Sequence, residues 1–344
     1  MSVSRIAEVS GVSKATVSRV LNQRPGVQAA NVKAVLDAAR RLQYPLPEAV
    51  GGGGRGGAKG SLSIAYVQFN RGLVAEQAAT GLMVFEGVAT AAAAEGVNLV
   101  FGAGSRADRL PEIVLSGNVD GLILAGMEPS REVLAKLRRY PQVWVTSYRT
   151  DDEVYVLPGN EQVGTLALEY LRQRGHHDVA VLNPFSQHPA LGARAVIFEL
   201  AAQQRGLAGQ SFSVDRPFGE VDAPEHWNGL EATIEELIDR AMSCDPRPTA
   251  MFIPVASVVA MVHRVLRRRS FEPGRDLDIV TVGGEEEVMS VYPRPGIVDI
   301  APQEMGRRAL ASILAKIKDP KVDDRTSIAV EPRLIPGEWA STDS

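Results

Sequence analysis

The chain is poor in the groups on which covalent and metal chemistry rest. Cys244 is its single cysteine, which excludes an internal disulfide framework and fits a reducing compartment. The histidines His176, His177 and His188 do not combine with a cysteine and carboxylates at a metal-ligand spacing. No Gly-x-Ser-x-Gly elbow or other nucleophile motif occurs in a fitting context, so neither catalysis nor a metal or cofactor is expected. No run approaches the roughly 20 apolar residues that span a bilayer. The first residues lack the basic-then-apolar pattern of a secretion leader. A cytoplasmic protein with no membrane partner is the expectation.

What the chain does contain is unevenly placed. At 344 residues it is too long for one compact core, so two or three domains are expected. A hydrophobic share of 45% and a charged share of 23% are ordinary for a globular protein. The net charge of −4 hides a split: residues 1–60 hold nine Lys/Arg against three Asp/Glu, or +6, and the rest is −10. A basic amino-terminal unit on an acidic body is the footprint of a tethered nucleic-acid reader.

The basic unit has a local pattern that suits that role. Ser13 reads as a helix N-cap that accepts from the amide of Thr16. Val17, Val20 and Leu21 follow at helical spacing as one apolar stripe. Lys14, Ala15, Ser18, Arg19 and Asn22 form the other side, small or hydrogen-bonding, as a major-groove helix needs. Upstream, Ser4–Ser10 places Ile6 and Val9 at helical spacing, and Gly11 stands as the residue past the helix end. Two helices joined by a tight turn result, a helix-turn-helix; the competing reading is a two-helix hairpin in a core. Gln23-Arg24-Pro25-Gly26 is turn chemistry, and a third helix follows with Val32, Val35, Leu36, Ala39 and Leu42 on its apolar face. The glycine-rich stretch Gly51–Gly60 formally contains Gly-x-Gly-x-x-Gly. No strand precedes it and no helix follows directly, so it reads as a flexible linker and not a phosphate cradle.

From Ser61 onward, short apolar runs alternate with helical ones. The strand-like runs are Leu62–Phe69, Val97–Phe101, Val119–Leu124, Val143–Thr146, Val154–Leu157, Val179–Leu182, Met251–Pro254, Ile279–Val282 and Ile297–Ile300. The helical runs include Val84–Ala94, Gln162–Arg172, Ala190–Gln204, Glu225–Met242, Val258–Arg268 and Gln303–Ile317. This alternation indicates parallel sheets covered on both faces, and its length suggests two doubly wound lobes.

The run Ala7-Glu8-x-x-Gly11-Val12-Ser13-x-x-Thr16-Val17-Ser18-Arg19-Val20-Leu21-Asn22 closely resembles the headpiece of LacI/GalR-type repressors. The likeness continues through Val119-Asp120-Gly121, Asn160-x-x-x-Gly164, Gly175-His176, Pro248–Phe252 and Glu304-Met305-Gly306. It implies an all-α headpiece over residues 1–46, a linker over 47–60, and a periplasmic-binding-protein-like body over 61–344. One lobe is expected at about 61–159 and 290–320 and the other at about 160–289 and 321–335, with crossings near Gly159, Glu287 and Pro320. Ser13, Lys14, Ala15, Thr16, Ser18, Arg19, Asn22 and Asn31 would meet a pseudo-palindromic operator as part of a homodimer. Arg55 would either reach a minor groove or remain a solvated linker charge. The glycines replace the hinge helix usual in the family, so weak coupling between body and headpiece is expected.

The resemblance also implies a small-molecule effector, such as a sugar, in the cleft between lobes. Arg194 stands where the family has a ligand-binding Arg, Trp227 where relatives place a stacking aromatic, and Glu285 where they have Asp after Gly-aromatic. Each has a plain alternative: a surface-helix arginine, a core tryptophan and a solvated acidic turn. Ala256-Ser257 replaces the family's frequent Asn-Asp, leaving Ser257 as the polar group there. The expected function is an effector-responsive DNA-binding regulator, a repressor and not an enzyme. The rival readings are a regulator answering to a protein partner or to no ligand, and a clamp-type solute-binding protein or enzyme.

Overall fold

The computed structural model describes residues 3–21, 27–42, 61–69, 75–104, 110–126, 129–146, 154–215, 225–319 and 326–338. Asn22, Arg55, the glycine-rich stretch and the side chain of Trp227 lie outside the described residues. The chain divides into two compact units, residues 1–61 and 62–344.

The described residues of the first unit form three helices, α1 (Val3–Ser10), α2 (Lys14–Leu21) and α3 (Ala29–Arg41). Its core is Ile6, Ala7, Val17, Val20, Val35, Ala38 and Ala39, with Leu21, Val32, Leu36 and Leu42 packed against it. Val9, which stands at helical spacing from Ile6, is 45% exposed. The inward stripe of α1 runs through Val3, Ile6, Ala7 and Ser10, the i, i+3, i+4, i+7 positions, and Val9 falls off it. Ser10 Oγ donates back to the Ile6 carbonyl at 2.6 Å. Gly11 takes φ +69°, the left-handed conformation that favours glycine, while its N–H bonds Ala7 O at 3.0 Å.

The described residues of the second unit form two six-stranded sheets. The first contains β1 (Ser63–Phe69), β2 (Asn98–Gly104), β3 (Gly121–Gly126), β4 (Gln142–Val145), β5 (Val154–Pro158) and β11 (Ser327–Val330). Its order is β2-β1-β3-β4-β5-β11, all parallel. The second contains β6 (Asp178–Asn183), β7 (Ala208–Ser213), β8 (Ala250–Ile253), β9 (Asp278–Gly283), β10 (Gly296–Asp299) and β12 (Arg333–Ile335). Its order is β7-β6-β8-β9-β10-β12, with only β12 antiparallel.

Alternate residues of the buried strands feed opposite helical layers. In the first lobe Ile64 and Tyr66 face α4 (Ala75–Glu95) and α11 (Pro302–Lys318). Ala65, Val67 and Phe69 face α5 (Glu112–Leu115) and α6 (Arg131–Leu137). In the second lobe Val179 and Val181 face α7 (Asn160–Gln173) and α8 (Pro189–Gln204). Ala180 and Leu182 face α9 (Glu225–Met242) and α10 (Val259–Arg268). One apolar cluster runs unbroken through the α4/α11 side of one lobe and the α7/α8 side of the other. Two helix pairs in these layers touch at backbone distance. A Cβ at Gly306 would lie 2.1 Å from Val84 O, and one at Gly87 would lie 2.0 Å from Gln303 O. Between α7 and α8, a Cβ at Gly164 would stand 2.6 Å from Arg194 O.

The nine apolar runs are all strands, while β7, β11, β12, α5 and α6 are additional. The second and third crossings also differ from the expected Glu287 and Pro320. Gly296–Asp299 pairs with β9 and so belongs to the second lobe, moving that crossing beyond Asp299. Ser327–Val330 pairs with β5 and belongs to the first lobe, moving the third crossing to Glu331-Pro332. The first crossing stands at Gly159, whose N–H bonds Val330 O at 2.9 Å. At the second, Ala301 is left-handed, φ 50° and ψ 58°, a conformation costly for a residue with a Cβ. Asp299 holds it there: one oxygen accepts the Ala301 N–H at 2.8 Å, and the other accepts from Arg333 Nε at 2.9 Å.

The α4–α11 crossing yields a direct test. Gly306→Ala places a methyl against a carbonyl oxygen in backbone that cannot step aside, and overpacking of this kind costs about 1–3 kcal/mol. A lowered unfolding temperature by calorimetry is expected, whereas Gly96→Asn should leave it nearly unchanged. Gly96 has φ +65° and nothing within 4 Å of an added Cβ, and asparagine tolerates the left-handed region.

Candidate functional sites

The first site is the outer side of α2. Ser13 Oγ accepts the Thr16 N–H at 3.2 Å and shares a hydrogen bond with Thr16 Oγ1 at 2.9 Å, satisfying an orphan donor of the first turn. Val17 and Val20 are buried against α1 and α3. Their burial fixes the helix rotation, so Ser13, Lys14, Ala15, Ser18 and Arg19 are exposed and Thr16 half-buried. Asn31 lies half-buried in the first turn of α3, with its N–H on Gln28 O at 3.0 Å. The face thus offers two cations beside a small residue and hydroxyls, the kit for phosphate and base-edge contacts.

The second site lies at the carboxyl edge of the second sheet. Arg194 on α8 is buried, not the surface-helix arginine of the plain reading. Its Nε donates to Asn160 Oδ1 at 2.9 Å and its Nη1 to Pro254 O at 2.9 Å. Asn160 opens α7 and Pro254 follows β8, so three elements converge on one guanidinium. Gly164, one helical turn after Asn160, lets the α8 backbone approach closely enough for this. The Asn160-x-x-x-Gly164 spacing thereby acquires a physical reason.

Other polar groups gather at the same edge. Asn183 ends β6 on the α7/α8 side and is fully buried. Its Oδ1 accepts the Phe185 N–H at 3.0 Å, and its Nδ2 has no hydrogen-bond partner among the described residues. Ser257 Oγ is likewise enclosed and unpartnered. His188 caps α8, its Nδ1 accepting the Leu191 N–H at 3.4 Å. Burial first, then the Arg194 charge, push its pKa down to about 4, so the ring is neutral near pH 7.

The acidic turn after β9 departs from the expected arrangement. Glu285 is exposed and bound to Arg294 Nη1 at 2.6 Å, so this turn presents it to a neighbouring cation. Glu287 is the carboxylate directed inward. It accepts the Gly284 N–H at 2.8 Å and is coupled electrostatically to Arg194. Burial raises its pKa, opposed by the Gly284 bond and Arg194 and assisted by Glu286 and Asp299. The sequence signal was a Gly284-x-x-Glu287 capping spacing, which aims the third acid and not the first. Asn183 was visible only as a polar residue closing the apolar run of β6. Among the described residues no group of three or more His, Cys, Asp or Glu is placed to hold a metal. Among them, too, no helix is long and apolar enough to cross a membrane.

Both units match models of known families. Residues 3–45 match the family model described as "Bacterial regulatory proteins, lacI family". Residues 168–338 match "Periplasmic binding protein-like domain". Together these matches span more than half of the chain. The chain is 24% identical to the ribose operon repressor of Escherichia coli K12 over 332 residues, covering 93% of this chain and 94% of that protein. It is 23% identical to the transcriptional repressor PurR of Vibrio parahaemolyticus, covering 96% of each. Its fold is similar to that of the lac repressor dimer bound to operator and an anti-inducer, with TM-score 0.65, 18% identity and 99% of each chain covered.

The two neutral buried imidazoles yield a test of pH dependence. His263, on α10, is also held down to about 4, by burial and the Arg267 charge. An unfolded histidine keeps its ordinary value of 6.5. As pH falls below that value the unfolded chain binds the protons first, so stability present above it is lost down to about 4. The loss approaches about 1.4 kcal/mol per pH unit for each histidine. Urea titration from neutral to mildly acidic pH should show this loss. It should flatten in the double variant His188→Asn, His263→Leu, whose asparagine keeps a cap acceptor.

Proposed function

The chain belongs to the LacI family of bacterial regulatory proteins, and we propose that it is a dimeric transcriptional repressor whose body senses a small polar effector such as a sugar. Residues 1–46 act as the headpiece, 47–60 as a linker and 61–344 as the sensing and pairing body. The observation that carries the DNA-binding half is the rotation of α2. Its buried Val17 and Val20 leave Lys14, Ala15, Ser18 and Arg19 facing outward as one patch. Two such patches in a symmetric dimer suit half-sites of a pseudo-palindromic operator.

The sensing half is supported by the buried Arg194 with its two fixed acceptors, a forked donor set at the carboxyl edge of a parallel sheet. Asn183 Nδ2, Ser257 Oγ and Glu287 supply further hydrogen-bonding groups for hydroxyls. The reading assigns the cleft to binding and not to turnover, in keeping with relatives named as repressors. It places the protein in the cytoplasm, where its operator is. Ligand binding alters lobe closure and thereby the placement of the two headpieces.

Two measurements on the full chain test the two halves. In selection from random DNA, Arg19→Ala is expected to lose preference at one base position and about 1–3 kcal/mol of affinity. An unchanged preference removes Arg19 from base reading. In thermal-shift titrations with pentoses and hexoses, a sugar at 100-fold its Kd stabilises by about 2.7 kcal/mol. Arg194→Ala should abolish that gain, and a retained shift would place the sugar elsewhere.

A further inference from the structure

The two lobes also meet away from their crossings. Met83 on α4 is 8% exposed, and its thioether reaches Gly284 at the carboxyl end of β9. A Cβ built on Gly284 would lie 2.7 Å from Met83 Cε and 2.9 Å from its Sδ. α4 also runs beside the Ala256–Val258 turn, which holds Ser257 with its enclosed Oγ. Gly284 itself has φ −89° and ψ 158°, extended backbone open to any residue, so no dihedral demands glycine there. What the missing side chain provides is room for Met83 and for the end of the exposed Glu286.

Gly284 is tied to the cleft from its other side. Its N–H is the donor that fixes Glu287, and Glu287 lies within electrostatic reach of Arg194. A methionine of the first lobe therefore rests on the residue that orients the inward carboxylate of the second. The contact joins thioether to backbone, unlike the ion pair and hydrogen bonds at the crossings. Methionine suits a joint that must part and re-form, because its flexible, polarisable chain tolerates several packings.

We propose that Met83 and Gly284 form a seat that holds the two lobes together over Ser257 and Glu287, so that a ligand reaches these groups only while the seat is open. The proposal rests on the cleft being the effector site. Closing the seat after entry would enclose the ligand and strengthen its polar contacts by excluding water. The seat thus couples occupancy to lobe closure through a single apolar contact, away from the crossings.

Hydrogen exchange of the ligand-free full chain, read by mass spectrometry, tests this. Gly284→Ala suits the backbone and collides with the movable ends of two side chains, Met83 and the exposed Glu286, whose Oε2 would lie 2.9 Å from the new methyl, so the second lobe should fold normally. Exchange in peptides covering α4 around Met83 and the Ala256–Val258 turn is expected to rise about threefold or more, while β8 and β9 keep their rates. In a Met83→Ala background the same Gly284→Ala change should add far less, because of its two collision partners only the exposed, movable end of Glu286 remains. Unchanged exchange around Met83 overturns the seat. So does a rise that is equal in the Met83→Ala background, or one that includes β9. Because no ligand is used, failure here leaves the effector reading standing; that reading fails separately if no pentose or hexose shifts unfolding.

Discussion

The body depends on three crossings of one chain between two sheets, and on the few bonds that tie those crossings to each other. Gly159 bonds Val330, so the first passage is fastened to the strand that precedes the third. Asp299 grips Ala301 with one oxygen and Arg333 with the other, fastening the second passage to the strand that follows the third. A left-handed alanine persists only where its surroundings over-determine it, and this carboxylate is the restraint. Everything that distinguishes a clamp from two tethered globules follows from having these passages side by side. Lobe rotation is limited to what the three can share.

Within that frame the lobes share one architectural solution with different tolerances. Each is a parallel sheet buried on both faces, and each inner helical layer contains a pair packed to backbone contact at glycine. In the first lobe Gly87 and Gly306 serve α4 and α11; in the second Gly164 serves α7 and α8. The second pair has the closer link to function, because the backbone it admits belongs to Arg194. Close packing transmits displacement instead of absorbing it. A shift of α7 therefore moves the guanidinium, and a shift of α4 moves Met83 on Gly284.

Much of this was legible in the sequence, for identifiable reasons. Strands buried on both faces are continuous apolar runs, and the nine such runs are strands. β7 reads Ala-Gly-Gln-Ser-Phe-Ser, an edge strand with only Phe212 buried, and nothing in its composition separates it from a loop. β11, with only Val330 buried, and β12, three residues with none buried, offer no buried apolar run. The expected lobe boundaries failed beyond Glu287 because lobe membership is a matter of pairing partners, which local pattern does not encode. Periodicity set the rotation of α2 correctly, and α1 less so, since Ala7 is a small residue easily passed over for Val9. Resemblance drew attention to Arg194, which is buried, but the phase of one short turn decides that Glu287 and not Glu285 points inward. Asn160, Pro254 and Asn183 converge only in three dimensions.

The late position of β11 bears on how the chain is made. Residues 327–330 complete the first lobe by pairing with β5, register Ser327 to Tyr155 through Val330 to Pro158. A ribosome will therefore have released every strand of the second lobe but β12 before the first can close its sheet. Throughout that interval the outer side of β5 is an unpaired parallel edge, the kind of surface that recruits strands from other chains. β11 thus acts as an internal stopper for the nascent protein, and a message truncated before Ser327 would yield a clamp with the β5 edge of its first lobe open to aggregation.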